Sequence, residues 1–448
     1  MMDLVRCGAS AVIGAIALGL SAQPVVIDGL FDDWSVVPTL VDPKGDHQGG
    51  GWDLGRVWTT TDGVTVSVSF EIGRAANLQS GPDAEGDLVL TAEVEGGEMA
   101  IVDFRARTWT IESDGVEREV GWDLLGYRSA PTYAARRFEV SLDLAAIGAA
   151  PGGVVTIDFS GDDTLSEPIT MVLGEVSDER VPPVSLKRPE QAALRVASLN
   201  TLRGGLVHRV RQQPLMRLLT MSEADVFCLQ EEFETPSEEI HSAFVGAFGD
   251  ESWTIEKTGR GTAVVTRLQA EPINLGSRAP GAALLVTTRA GERVAVVSVH
   301  LKCCGHAGSE EDTRRVDQVE QIMSELEDSM AAKGIQPDAT LVIGDWNLVG
   351  SRRPLDLAEG HGMRWLRPRQ IESLSPMTWV NAESEFPPGQ LDLAVLGGEG
   401  FDHSRALTVD TRSMNEEMLG RLGLTPEDSA ATDHLLLIAD VMAEEVPE

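Results

Sequence analysis

The chain has 448 residues, 42% of them hydrophobic; at ~100–200 residues per domain this is too long for one core and apolar enough to fill two or three. It carries 36 basic and 71 acidic residues, a formal net charge of −35, with 13 basic and 31 acidic over residues 1–190 against 23 and 40 over 191–448. Acidity spread over the whole chain repels polyanions at long range and argues against a high-affinity nucleic-acid binder, which uses basic surface to displace counterions; nucleic acid is left only as a substrate held through a bound cation.

The opening Met-Met-Asp-Leu-Val-Arg leads into an uncharged apolar run from Cys7 to Ala22 that closes on the small residues Ser21 and Ala22. That is the order of a secretory signal peptide, residues 1–22, and predicts a secreted or periplasmic mature chain. The run is shorter than the ~20 apolar residues of a spanning helix, and no later stretch is apolar for long enough, so no transmembrane segment is expected after cleavage. Cleavage leaves Cys228, Cys303 and Cys304, an odd number that rules out a disulfide scaffold. Cys228 lies in the apolar run Val226 to Leu229 and reads as a small core residue. The adjacent Cys303 and Cys304 leave a vicinal disulfide, a soft-metal site and no role at all open.

Residues 24–179 read as all-β. Val64 to Phe70 and Phe138 to Leu142 alternate apolar and polar, and turn signals recur at Asp62-Gly63, Gly81-Pro82-Asp83, Ser113-Asp114-Gly115 and Pro151-Gly152-Gly153. Many short strands without a long amphipathic helix predict a two-sheet β-sandwich. Residues 180–191 hold three prolines and no apolar period, and form the predicted linker. Over 192–448 the pattern changes: apolar strands are expected at Leu194–Leu199, Val226–Leu229, Ala263–Val265, Ala282–Val286, Val294–Val299, Thr340–Ile343, Leu391–Leu396 and Leu435–Val441, with helical stretches between them, notably Glu311 to Ala332. Strands interspersed with helices predict a layered α/β domain.

Several of these strands end in residues that bind metals or move protons. The first runs into Asn200, the second into Glu231 and the fifth into His300; Leu341–Gly344 runs into Asp345 with Asn347 two residues on, Gln390-Leu391 into Asp392, and Thr432-Asp433-His434 precedes the last strand. Each alone is more often a turn-former or a cap. Six such ends together, all carboxylate, carboxamide or imidazole and with no Ser-His nucleophile pattern, point to one crevice at a shared sheet edge. Their oxygens favour Mg²⁺, or else Mn²⁺ or Ca²⁺, over zinc. Glu231 and Asp433 are the natural direct ligands, with Asn200 close by. A hard cation on a phosphoryl oxygen neutralises developing charge while an adjacent base aligns water for in-line attack, and a carboxylate such as Asp392 beside His434 would hold that ring in one tautomer. Basic residues flank these loops: Arg203, Arg260, Lys302, Arg314, Arg315, Arg352 and Arg353. They would form a local positive funnel for an anion, with Arg203, Lys302 and Arg315 as expected phosphate contacts; the plainer reading pairs Arg314 and Arg315 with Glu310 and Glu311 on a helix.

The segments Ala197–Asn200, Leu229–Glu231, Val299–Leu301, Gly344–Asn347, Leu391–Leu393 and Thr432–His434 resemble, in order and spacing, the endonuclease/exonuclease/phosphatase superfamily, and span essentially all of 192–442. The resemblance implies a four-layered α/β/β/α sandwich with the site where the loops of two sheets meet. It implies that Glu231 holds the metal with Asn200 and Asp433, that Asp345 positions or deprotonates water, and that Asn347 contacts the phosphate. His300 and His434 would stabilise the transition state or handle protons, with Asp392 orienting His434. Thr432 stands where the family usually has Ser, and the stretch His300-Leu-Lys-Cys-Cys-Gly-His306 is unlike its best-studied nucleases, which leaves the substrate class open. The expected activity is that of an exported divalent-metal-dependent phosphoesterase acting on mono- or diesters. The alternatives are an extracellular nonspecific nuclease and, from another class, a carbohydrate-binding or adhesion protein with an inactive hydrolase-like domain.

Val25 to Trp34, Asp42 to Asp46, Trp52-Asp53-Leu54 and Val57-Trp58 resemble the opening of exported β-sandwich modules grouped with family 9 carbohydrate-binding modules. A carbohydrate or cell-surface ligand is what that implies, because Trp faces stack on sugars and loop aspartates hold Ca²⁺. The plainer expectation, and the favoured one, buries Trp34 and Trp58 in the core and leaves the acids to form turns.

Overall fold

The computed structural model describes residues 25–443 other than 48–50, 79–85, 177–183, 250, 278, 372 and 374. The predicted signal peptide, the turn at Gly81-Pro82-Asp83 and the first four residues of the predicted linker lie outside the described residues. Among the described residues no helix is long and apolar enough to cross a membrane.

Strands between Leu40 and Val172 form two antiparallel sheets, of five and six strands. The alternation at Val64 to Phe70 becomes the strand Thr65–Ala76, paired with Leu54–Asp62 on one side and Ala135–Asp143 on the other. Its apolar face, Val66, Val68, Phe70 and Ile72, shares one core with Leu88, Leu90, Ala92 and Phe159 of the six-stranded sheet. The polar face behaves differently from a solvated one, since Ser67 and Ser69 are also buried. The segment ahead of the first strand straps across it: Glu139, the register partner of Ser69, accepts the amides of Asp28 and Gly29 and the indole N–H of Trp34. Arg137 donates to Ser69 Oγ at 2.9 Å and lies 3.8 Å above the Trp58 ring. Trp34, Trp52, Trp58, Trp109 and Trp122 are all buried, so none presents an open face for a sugar ring.

The remaining strands form a seven-stranded and a six-stranded mixed sheet. At the centre of the first, Ala192–Asn200 runs parallel to Val226–Gln230 and antiparallel to Leu436–Met442. At the centre of the second, Arg293–His300 runs parallel to Ala339–Asp345, which pairs antiparallel with Asp392–Gly397. All the strands expected over this region are present. One apolar cluster joins the sheets face to face through Val196, Val226 and Leu437 against Leu284, Val296 and Leu341. A second packs Leu199, Phe227 and Leu436 on Leu215, Leu219, Ile240 and Phe244 of the helices Gln212–Met221 and Ser237–Phe248. A third packs Val297, Val342 and Val395 on Val319, Ile322 and Leu326 of the helix Glu310–Lys333. With both faces covered, these strands read as near-continuous apolar runs, which is why they stood out in the sequence. The long helix starts where Ser309 Oγ accepts the Asp312 amide and stops at Gly334, whose φ of +65° few other residues adopt.

The two halves touch. Met377 packs with Ile27 and Ala130, and the described part of the predicted linker lies on the second domain, where Val184 and Leu186 pack against its helical core and Arg195 Nη1 donates to the Leu186 carbonyl at 3.0 Å.

Candidate active site

Strand register brings the sequence-predicted residues into two rows. In the six-stranded sheet His300 is the register partner of Asp345, and Asp345 of Asp392. In the seven-stranded sheet Asn200 is opposite Gln230, one residue before Glu231. The rows meet at Asn200, whose buried amide nitrogen lies 3.2 Å from Glu231 Oε1, 3.1 Å from Asp345 Oδ2 and 3.4 Å from His434 Nε2. His300 Nε2 stands 3.5 Å from Asp345 Oδ2 and 3.9 Å from Glu231 Oε1. Asp345 Oδ1 accepts the Asn347 amide at 3.0 Å, and Asn347 Nδ2 donates to the Leu301 carbonyl at 3.2 Å. Leu202, Arg203, Glu231 and Asn347 all take φ between +47° and +63°, a conformation costly for non-glycine residues that persists where surrounding bonds over-determine it.

Charge at the base of the crevice is shared by three buried groups. His434 Nδ1 sits 2.8 Å from Asp392 Oδ2, and its Nε2 3.7 Å from Asp345 Oδ2. Burial disfavours the imidazolium, but the carboxylates of Asp392 and Asp345 outweigh it and push the ring up to about 10. Burial also raises the Asp345 carboxyl above its ordinary range, against the pull of His434 and His300. Asp345, Asp392 and His434 bring one ligand atom each within 4.8 Å of one another, yet the Asp392–His434 hydrogen bond already uses the facing Nδ1, so a proton unit fits this trio better than a cation cage. Glu231 keeps 19% of its side chain exposed at the crevice mouth. Its Oε2 accepts the Arg203 amide at 2.9 Å, and its carboxylate is an oxygen donor of the kind a hard divalent cation takes; Asn200 turns its nitrogen to it, with Oδ1 accepting the Leu202 amide at 3.0 Å.

The remaining predicted residues differ in burial and partners. Asp433 is half-buried; its carbonyl accepts the Val380 amide, and Thr432 Oγ is 3.5 Å from its carboxylate. Arg203 is exposed and Lys302 half-buried beside Cys303. Arg315 corrects the expectation of a phosphate contact: its side chain is fully buried, and Nη1 donates to the carbonyls of Lys302 and Cys304 at 2.7 and 2.8 Å. It holds the loop after His300 from behind. Cys303 and Cys304 are free, with sulfurs 3.0 Å apart, and Cys228 is buried as expected.

Sequence reading missed the groups that hold these residues in place. Gln230 Nε2 donates to Ser198 Oγ at 3.1 Å and Ser298 Oγ at 2.9 Å, tying the two sheets together behind the crevice. Thr378 Oγ accepts the amides of Leu391 and Asp392 at 2.9 and 2.8 Å, and Thr432 Oγ donates to the Asn200 carbonyl at 2.8 Å. Asn77 arrives from the β-sandwich: Nδ2 donates to the carbonyls of Val349 and Gly350 at 2.8 and 3.2 Å, while Oδ1 accepts the Ala307 amide at 2.8 Å. It thereby joins the loops that follow Asn347 and His300. Gln230 directly before Glu231 was the one visible signal; nothing around Asn77 in the sequence marks it.

No curated protein matches the sequence. Among solved structures, humanized D. rerio TDP2 is 15% identical with a TM-score of 0.37, covering 55% of this chain and 97% of that one. An AP endonuclease from Archaeoglobus fulgidus is 13% identical with a TM-score of 0.38, covering 55% and 98%, and AP endonuclease LMAP from Leishmania major is 12% identical with a TM-score of 0.38, covering 55% and 86%. The model of the Endonuclease/Exonuclease/phosphatase family matches residues 197–434, more than half of the chain, and the chain belongs to that family.

Proposed function

We propose that this metal-dependent hydrolase of phosphate esters is an exported phosphodiesterase in which Asp345 takes the proton of the attacking water. The observation that carries this reading is the convergence of Asn200, His300, Asn347 and His434 on the two oxygens of one buried carboxylate. A carboxyl raised by burial is a better base near neutral pH than a solvated one. Glu231, with Asn200 and Asp433, would hold the cation, Mg²⁺ before Mn²⁺ or Ca²⁺, which when bound supplies charge neutralisation at the phosphoryl oxygen. The Asp392 carboxylate keeps His434 protonated, so Nε2 can donate to the oxygen on which charge develops. His300 and the Asn347 carboxamide border the same space and would orient the phosphate, with Arg203 and Lys302 at the rim.

Export rests on the run Cys7 to Ala22. A net charge of −35 favours a modest-sized or exposed ester over long duplex DNA. One observation favours the second reading, a nonspecific nuclease: Phe233 is 45% exposed with its ring 6.0 Å from that of His300, and an aromatic face at a crevice mouth stacks unpaired bases. A panel of phosphate mono- and diesters, single-stranded DNA, RNA and sphingomyelin, with Mg²⁺ and with EDTA, tests both. Hydrolysis of diesters that stops in EDTA and in Asp345→Asn is the expected result; equal rates from wild type and Asp345→Asn would overturn it.

A further inference from the structure

The outer face of the five-stranded sheet carries a row of polar residues that strand register lines up. Thr60 is the register partner of Ser67, Ser67 of Ser141, and Ser141 of Arg128, which opens the short edge strand Arg128–Ala130. Register partners project to the same side of a sheet, so three hydroxyls and a guanidinium stand side by side across neighbouring strands. They line a recess of about 200 Å³ at the seam of the two domains, closed by Val26 and Ile27 of the segment ahead of the first strand and by Ser375 and Pro376 of the catalytic domain. That cover is why Ser67 and Ser141 are buried on the polar face of their strands.

The row is short of partners. Arg128 stays accessible, yet among the described residues its guanidinium makes no hydrogen bond or ion pair, and the hydroxyls of Thr60, Ser67 and Ser141 make no hydrogen bond. Desolvation in the seam pulls the guanidinium below its ordinary range, with Asp410 and Asp143 opposing from a distance. Both carboxylates are engaged elsewhere: Asp143 Oδ1 accepts the Ala145 amide at 2.9 Å, and Asp410 accepts Arg412 Nε and Nη2 at 2.7 and 3.1 Å. A partly desolvated cation beside unused hydroxyl donors is unfavourable, and an anion in the recess relieves it. Asp62 also borders the recess, on the strand farthest from Arg128; its carboxylate disfavours a polyanion and confines negative charge to one small head.

We infer that this seam is a binding site for a small organic oxyanion, a carboxylate or a phosphate monoester, separate from the hydrolytic crevice. The guanidinium fork pairs with two oxygens of the head in parallel. Ser141, Ser67 and Thr60 offer hydroxyls to polar groups along the body, and Ile27 and Pro376 cover its apolar edge. A few convergent polar groups against an apolar wall are the usual make-up of a small-molecule site. Because the lining comes from both domains, a ligand bound there stabilises their docking by mass action.

The test titrates the full chain by calorimetry, in EDTA so that no cation bridges an anion to the crevice, with glycerol 3-phosphate, glycerate and neutral glycerol. Saturable uptake of either anion and a rise in the thermal unfolding midpoint are expected, and the tighter of the two identifies the head as phosphate or carboxylate. Arg128→Gln should weaken binding at least about tenfold, and Thr60→Val, a near-isosteric change that spares the fold, about threefold; both variants keep the wild-type rate of phosphodiester hydrolysis in Mg²⁺. Uptake of neither anion, equal affinity in the variants and the wild type, or glycerol bound as tightly as the anions would overturn the assignment.

Discussion

Both halves of the molecule stack two sheets, but they bury polar groups to different ends. In the β-sandwich, Glu139 lies on the outer face of its sheet and anchors the segment ahead of the first strand: its oxygens take the Asp28 and Gly29 amides and the Trp34 indole. In the catalytic domain, Asp345 is equally hidden, but its neighbours include two imidazoles that can trade protons, His300 and His434, beside the donating amide of Asn200. Burial raises both carboxyls. What separates a tether from a reactive group is therefore the partner set: amides fix a chain, whereas an imidazole beside a carboxylate makes a proton movable.

The sharpest way to break that comparison is Asp345→Asn. Loss of the base should lower kcat on a phosphodiester by on the order of 10²–10⁴, while circular dichroism and the unfolding midpoint stay close to wild type; a large stability loss would make Asp345 a tether after all. Arg195→Ala examines the opposite case within the catalytic domain. Arg195 binds Asp440 through two nitrogens at 2.7 and 3.0 Å, with both side chains inaccessible to solvent, and removing one partner of a buried pair costs about 3–5 kcal/mol, read as a lower denaturant midpoint. Glu139 gives the pH arm. Burial outweighs its three donors and raises its carboxyl from 4.5 to about 8. The folded sandwich therefore keeps a proton that the unfolded chain releases, so this stabilisation is fully present below pH 4.5 and is lost as pH rises through about 8. At ~1.4 kcal/mol for each pKa unit the slope is measurable by chemical denaturation, and Glu139→Gln should flatten it. Asn77→Ala is the smallest change expected: kcat falls several-fold, because the loops behind Asn347 and His300 lose their common anchor, while KM moves less and the protein stays folded.

The strand ends were legible because fully buried strands are apolar throughout, so Asn200, Glu231, His300 and Asp345 stand out where each run stops. The pairing of Asp392 with His434 was legible from residue types. Less visible were Thr254–Lys257 and Arg405–Val409, strands too short and too polar at their ends to rise above loop composition. Arg315 illustrates a limit of another kind. Its place near the motif loops suggested a phosphate contact or a pairing with Glu310 or Glu311, but only the packing of that helix decides that the guanidinium faces inward. Gln230, Thr378 and Asn77 act through carbonyls, amides and hydroxyls far away in the chain, and no local pattern encodes such partners.

The reach of Asn77 across the domain boundary bears on how the molecule can be divided. A fragment beginning at residue 184 would retain every ionisable group of the crevice, yet leave the Val349 and Gly350 carbonyls and the Ala307 amide without the carboxamide that bridges them. Such a truncated enzyme should bind its cation and turn over slowly, making the forward half a working part of the catalyst as well as a passenger beside it.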